Sequence, residues 1–256
     1  MVRPPVLAAL LILLLLCGMP AGSAVPAGNA APGCPAAPET VAPEATPGSL
    51  PRVAAALKAG RLEVLAIGSG TALGTQGRAE GSFSDRMVQE LRAAAPGAEI
   101  HLTLHGERGM TAAAMLAALR HDLDGKGFSL VVWQTGTVEA ARKAAPEEFG
   151  RILDAGAEAV RAAGADLLLV DPQYSRMLQT HTTLAPYRET MQRVAQRHAA
   201  VLFRRFDLVR QWVEGGELDL ESAAKPDRRK LAERLNACLG QALAQTVLRA
   251  VGLARG

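Results

Sequence analysis

The stretch Leu62-Glu63-Val64-Leu65-Ala66-Ile67-Gly68-Ser69-Gly70-Thr71 decides the architecture. Its apolar half has the length of a buried strand rather than a helix, and it runs directly into a glycine-rich turn. Comparable apolar runs recur at residues 100–104, 130–133, 167–170 and 200–203. Between them the period changes to that of helices. Ser82 is an N-cap ahead of Phe83, Met87, Val88 and Leu91; Met191, Val194 and Ala195 share one face; Leu231, Leu235, Cys238, Leu239, Ala242 and Leu243 line the last helix. Buried strands separated by helices predict a three-layer α/β/α fold around a five-stranded parallel sheet. Right-handed crossovers favour the flavodoxin-like strand order 2-1-3-4-5. Ligands of such sheets bind at the carboxyl ends of the strands, so the turns at Gly68, at residues 105–109 and at residues 136–139 should share one crevice.

The ends of the chain carry different information. Arg3, an unbroken apolar run over residues 6–16 and the small residues Ala21-Gly22-Ser23-Ala24 form the pattern of a secretory signal peptide over residues 1–24. Its apolar core is shorter than the roughly 20 residues of a spanning helix, so no stable membrane span is expected after cleavage, and the protein is expected to be secreted or periplasmic. Residues 25–51 form an Ala/Pro-rich arm with little to bury, and residues 52–256 form the folded domain. Two cysteines survive cleavage, Cys34 and Cys238. In an exported protein they invite a disulfide that clips the arm to the last helix; the alternative is a buried Cys238 with a free Cys34.

Several function classes fall away. The 28 Lys and Arg against 25 Asp and Glu give a net charge of only +3, and the basic residues are scattered, so no nucleic-acid partner is expected. The sequence contains no CxxC and no Cys/His cluster, which argues against a metal site. The turn Gly68-Ser69-Gly70-Thr71-Ala72-Leu73-Gly74 has the wrong spacing for a dinucleotide loop and lacks the Gly-Lys-Ser/Thr ending of a P-loop, so no cofactor is expected.

The turn after the first strand, His105-Gly106-Glu107-Arg108-Gly109-Met110-Thr111, Val131-Val132-Trp133-Gln134-Thr135-Gly136-Thr137-Val138-Glu139 and Lys225-Pro226-Asp227-Arg228-Arg229-Lys230 together resemble, in order and spacing, the sequence blocks of the SGNH (GDSL-type) hydrolases. The resemblance spans roughly residues 50–248 and implies the fold just described. It also implies a family of esterases, lipases and carbohydrate acyl-hydrolases, with a serine nucleophile, an asparagine donor and an Asp-x-x-His acid and base. Here those positions hold Gly70, Val138, Asp227 and Lys230.

The chemistry therefore does not follow from the fold. Glycine has no hydroxyl, valine donates no hydrogen bond, and lysine, with an unperturbed pKa of about 10.4, is normally a cation rather than a base. Ser69 is a displaced candidate nucleophile, with Thr71 beside it and Lys230 as a conceivable base, Asp227 orienting it. Histidine 105 is read as a loop residue and His181 as an exposed one. The amides of Gly70 and Gly109, matching the family's oxyanion donors, would form an anion-binding nest, with Gln134 and Val138 beside them. The leading expectation is a pseudo-hydrolase that keeps a crevice for a small acyl, glycan or anionic ligand, or for a partner. The alternative is an active ester hydrolase using Ser69.

Overall fold

The apolar runs become strands β1 (Arg61–Ser69), β2 (Glu99–Glu107), β3 (Leu130–Gln134), β4 (Asp166–Val170) and β5 (Val201–Phe203). All pairings are parallel and the order is β2-β1-β3-β4-β5, as read from the sequence. The computed structural model describes residues 1, 2, 33–35, 46, 48–73 and 80–253. The leader beyond Val2 and most of the 25–51 arm lie outside the described residues.

Strands β1 and β2 outrun their apolar cores. Their register continues through Ile67 opposite His105 and Gly68 opposite Gly106 to Ser69 opposite Glu107. Histidine 105, expected in a loop, thus lies within a strand. The run loses its apolar character there because β2 is an edge strand with only one buried position, Ile100.

Helices α1 (Pro51–Lys58), α2 (Phe83–Ala94), α8 (Arg205–Glu214) and α9 (Lys225–Ala250) supply the core on one face of the sheet, where Val64 and Ala66 point. Helices α3 (Ala112–Leu123), α5 (Pro146–Ala162) and α7 (Ala185–His198) supply the other, where Leu65 and Ile67 point. Two short helices, α4 (Thr137–Ala141) and α6 (Arg176–Gln179), follow β3 and β4. The strand alternation then assigns Ser69 to the α3 face, while Gly68 and its register partner Gln134 belong to the α2 face.

Close packing fixes both layers. On the α3 face Trp133 is fully buried and lies over Gly156 of α5, where an added β-carbon would sit 2.1 Å from Cζ3 of the indole. On the other face α9 crosses α2 at Gly240, where a β-carbon would lie 2.3 Å from Arg86 Cβ and 2.7 Å from the Phe83 carbonyl oxygen. Serine 82 caps α2 as expected, its hydroxyl accepting from the Asp85 amide at 3.1 Å.

The ordered domain begins slightly before the expected boundary. Leu50 is fully buried, and the Gly48 amide donates to the Ala250 carbonyl at 2.7 Å. The first amides of α1, from Arg52 and Val53, donate to Asp166 Oδ2 at 2.8 and 3.0 Å, which ties the helix to the start of β4. A disulfide joins Cys34 to Cys238 with a Cα separation of 5.4 Å, and Arg234 Nε donates to the Gly33 carbonyl at 2.8 Å. No helix among the described residues is long and apolar enough to cross a membrane.

Candidate functional site

At the carboxyl end of β1 the chain turns at Gly70, with φ +42°, into a 3-10 turn over Gly70–Leu73. A β-carbon at Gly70 would meet no atom within 4 Å, so the position opens onto free space. The β2–α3 connection turns at Gly109, with φ +78°, and so aims the Gly109 amide back at β1. That amide donates to Ser69 Oγ at 3.0 Å. The expected nest of free amides is therefore corrected: the Gly109 donor is already spent on the neighbouring hydroxyl.

The β3–α4 turn is held by Glu139, the last residue of the third sequence block. Its carboxylate is buried and accepts from the amides of Ala112 at 2.6 Å and Gly136 at 3.0 Å, and from the Thr135 hydroxyl at 3.3 Å. It thereby fastens the start of α3 to the end of β3, placing a carboxylate at a helix N-terminus where the dipole favours it. The spacing Gly136 to Glu139, an N-cap followed three residues later by Glu, was the available signal.

These pieces enclose a cavity of about 140 Å³, lined by Ser69, Gly70, Met115, Gln134, Thr135, Gly136, Thr137, Val138, Glu139 and Gln173. Among the described residues no arginine, lysine or histidine borders it, and the one charged residue among them, Glu139, has both oxygens engaged. Val138 takes a wall position. Gln134 contributes to the lining, but its carboxamide lies along the empty side of Gly68, on the sheet face away from Ser69. There Oε1 would be 2.8 Å from a β-carbon at Gly68, and it has no hydrogen-bond partner among the described residues. Met115 was not foreseen; its sulfur accepts from the Trp133 indole N–H at 3.2 Å. The Gln173 amide donates to Thr137 Oγ1 at 3.3 Å and closes the far wall.

Among the described residues no base bonds to Ser69. The hydroxyl's hydrogen bond is the one from Gly109, and no imidazole, amine or carboxylate among the described residues bonds to it. Asp227 and Lys230 ride in the first turns of α9, both exposed, and neither lines the cavity. His105 Nδ1 is 2.5 Å from Asp122 Oδ2, and His198 Nε2 is 2.9 Å from Asp154 Oδ1. His121 and His181 are exposed. Among the described residues no three His, Cys, Asp or Glu side chains gather as metal ligands would.

The β4 end is set by a buried ionic knot. Asp171 accepts from the Phe206 amide at 2.8 Å and from Arg188 Nε at 2.9 Å, and Arg188 reaches on to Asp207 at 2.5 Å. Burial pulls the Arg205 guanidinium down to about 10, with Asp171 opposing that shift, so it remains a cation at neutral pH. The knot fixes the strand end from which Gln173 reaches the cavity, but it supplies no group to the lining.

Comparison with known proteins agrees with this architecture. The model of the non-GDSL lipase-like family matches residues 33–253. No curated protein matches the chain in sequence. Among solved structures, TesA is 20% identical, with 74% of this chain and 99% of that one covered and a TM-score of 0.57. A variant of Axe2, an acetyl xylan esterase from Geobacillus stearothermophilus, is 16% identical over 76% of this chain and 96% of its own, with a TM-score of 0.59. A two-domain esterase active on acetylated mannans is 15% identical, with 81% of this chain and 55% of that one covered and a TM-score of 0.64. At these identities the likeness is one of fold.

Proposed function

The chain belongs to the non-GDSL lipase-like family, and from that premise we propose that it is an exported, catalytically degenerate SGNH-fold protein. In this reading it holds a small acyl group, such as one carried by a glycan, in the cavity beside Ser69 without cleaving it. The observation that carries the reading is the state of Ser69: its hydroxyl accepts from Gly109 and bonds to no base among the described residues, while the position that resembles the family's nucleophile is Gly70. Nucleophilic catalysis by a serine needs a partner to take its proton, and the missing asparagine donor at Val138 alone typically costs about 10²–10³ in rate.

The size and charge of the cavity narrow the ligand. At about 140 Å³ it is well below the roughly 300–1,000 Å³ that encloses a whole small molecule, so it suits a substituent. Among the described residues its lining offers no cation to an anion. The solved neighbours described as an acetyl xylan esterase and as an esterase active on acetylated mannans are consistent with an acetyl-sized group on a sugar. Export is supported by the leader pattern and by the Cys34–Cys238 bridge, since disulfides persist in oxidising compartments.

A second reading, an ester hydrolase using Ser69, is favoured by the position of that hydroxyl at the end of β1, 3.0 Å from a backbone donor. Fluorophosphonate labelling of the purified mature protein, with Ser69→Ala as control and an aryl acetate assay alongside, separates the two. We expect no labelling and no turnover above background. Labelling and turnover that vanish in Ser69→Ala would establish the hydrolase instead.

A further inference from the structure

We infer that Ser69 is the ligand-binding hydrogen-bond donor of the cavity, relaying the polarity of the Gly109 amide to a neutral carbonyl oxygen. The inference rests on the binding reading above and specifies what is bound. Ser69 is 7% exposed and lines the cavity. Its oxygen accepts from Gly109 N at 3.0 Å, and its own proton has no acceptor among the described residues. A hydroxyl has one proton to give, and a buried polar group without a partner is costly. The unmet donor belongs to a side chain that borders the cavity, so a bound acceptor would complete the chain Gly109 N–H to Ser69 O–H to ligand oxygen. Accepting the amide's hydrogen bond polarises the hydroxyl and strengthens it as a donor.

The same geometry decides what kind of acceptor fits. A carboxylate or phosphate would lie beside the buried Glu139 carboxylate, in a cavity bordered by no arginine, lysine or histidine among the described residues. An unpaired charge there has no compensation. An ester or amide carbonyl carries the acceptor without the charge, and Met115 and Val138 supply apolar wall for its alkyl end. Ser69 thus acts as the residue that selects uncharged acyl groups over their free acids.

Acetamide and acetate are nearly the same size and differ in charge, which makes them a matched pair of probes, and methyl acetate adds the ester. Titrating each into the isotope-labelled mature protein and following the Gly109 and Ser69 amide resonances tests the relay. We expect acetamide and methyl acetate to shift both resonances, acetate to bind at least about tenfold more weakly, and Ser69→Ala to weaken acetamide by about five- to tenfold. Acetate binding as tightly as acetamide, an unchanged affinity in Ser69→Ala, or no shift at Gly109 with any probe would overturn the relay. The first two results would leave the non-hydrolytic reading standing. Consumption of methyl acetate by the wild type and not by Ser69→Ala would instead overturn that reading too. The wild-type titration alone decides between neutral and anionic ligands, so the test survives a variant that folds poorly.

Discussion

At position 70 a β-carbon would touch nothing within 4 Å, yet the backbone there has φ +42°. Space for the family's hydroxyl is present, at the cost of about 1 kcal/mol or somewhat more for an L residue in that conformation. On the reading proposed above, the base is what the described residues do not bring to the position: Lys230 is exposed on α9 and does not border the cavity. Restoring the family's residues should therefore fail to restore its chemistry. Gly70→Ser, alone or with Lys230→His, is expected to fold with a slightly lowered Tm and to hydrolyse an aryl acetate no faster than the parent. A rise of tenfold or more in the double variant would show that residue 230 reaches the site in solution. The hydroxyl at 69 is no better placed: it has a donor, Gly109, where a nucleophile needs an acceptor.

The tightest junction between helices is the crossing of α2 and α9, where Gly240 lets the two backbones approach. Gly240→Ala places a β-carbon 2.9 Å from the Met87 amide nitrogen and 2.7 Å from the Phe83 carbonyl. Because both atoms are backbone, relief requires a helix to shift, and overpacking of this kind costs about 1–3 kcal/mol. At roughly 2–4 °C per kcal/mol for a domain of this size, calorimetry should register a clear fall in Tm. Gly97→Ala, which meets nothing within 4 Å, serves as the neutral control. The elements themselves were legible because buried parallel strands and amphipathic helices carry separate periods: Leu62 to Ile67 and the Phe83, Met87, Leu91 stripe both fold as read. Two kinds of detail were not legible. The end of β2 was hidden because an edge strand has no apolar signature through His105. At the site, the residues Gly70, Val138 and Lys230 stand in the sequence itself, whereas the Gly109-to-Ser69 bond and the fold of Gln134 against Gly68 depend on which face each side chain takes at a strand end.

Across the whole molecule, the Cys34–Cys238 bridge spans 204 residues of sequence. Closing a loop of that length restricts the unfolded chain by about 5 kcal/mol in the chain-entropy model, and bridges typically deliver about 2–4 kcal/mol of it. Cys34→Ser and treatment of the wild type with dithiothreitol should each lower Tm by several degrees, and their effects should not add. Equal melting of Cys34→Ser and the oxidised wild type would show that the bridge contributes nothing. The crossing of α9 over the β1 side gives the bridge a temporal meaning as well. Leu62, Val64 and Ala66 pack in a cluster that includes Leu239, Leu243 and Val247, residues made long after them. The first strand thus waits for α9 to be covered on this face, and Cys34 cannot find its partner until synthesis has passed Cys238. A chain cut short before α9 would keep Cys34 as a free thiol, so the oxidised bond is a chemical receipt that α9 was made.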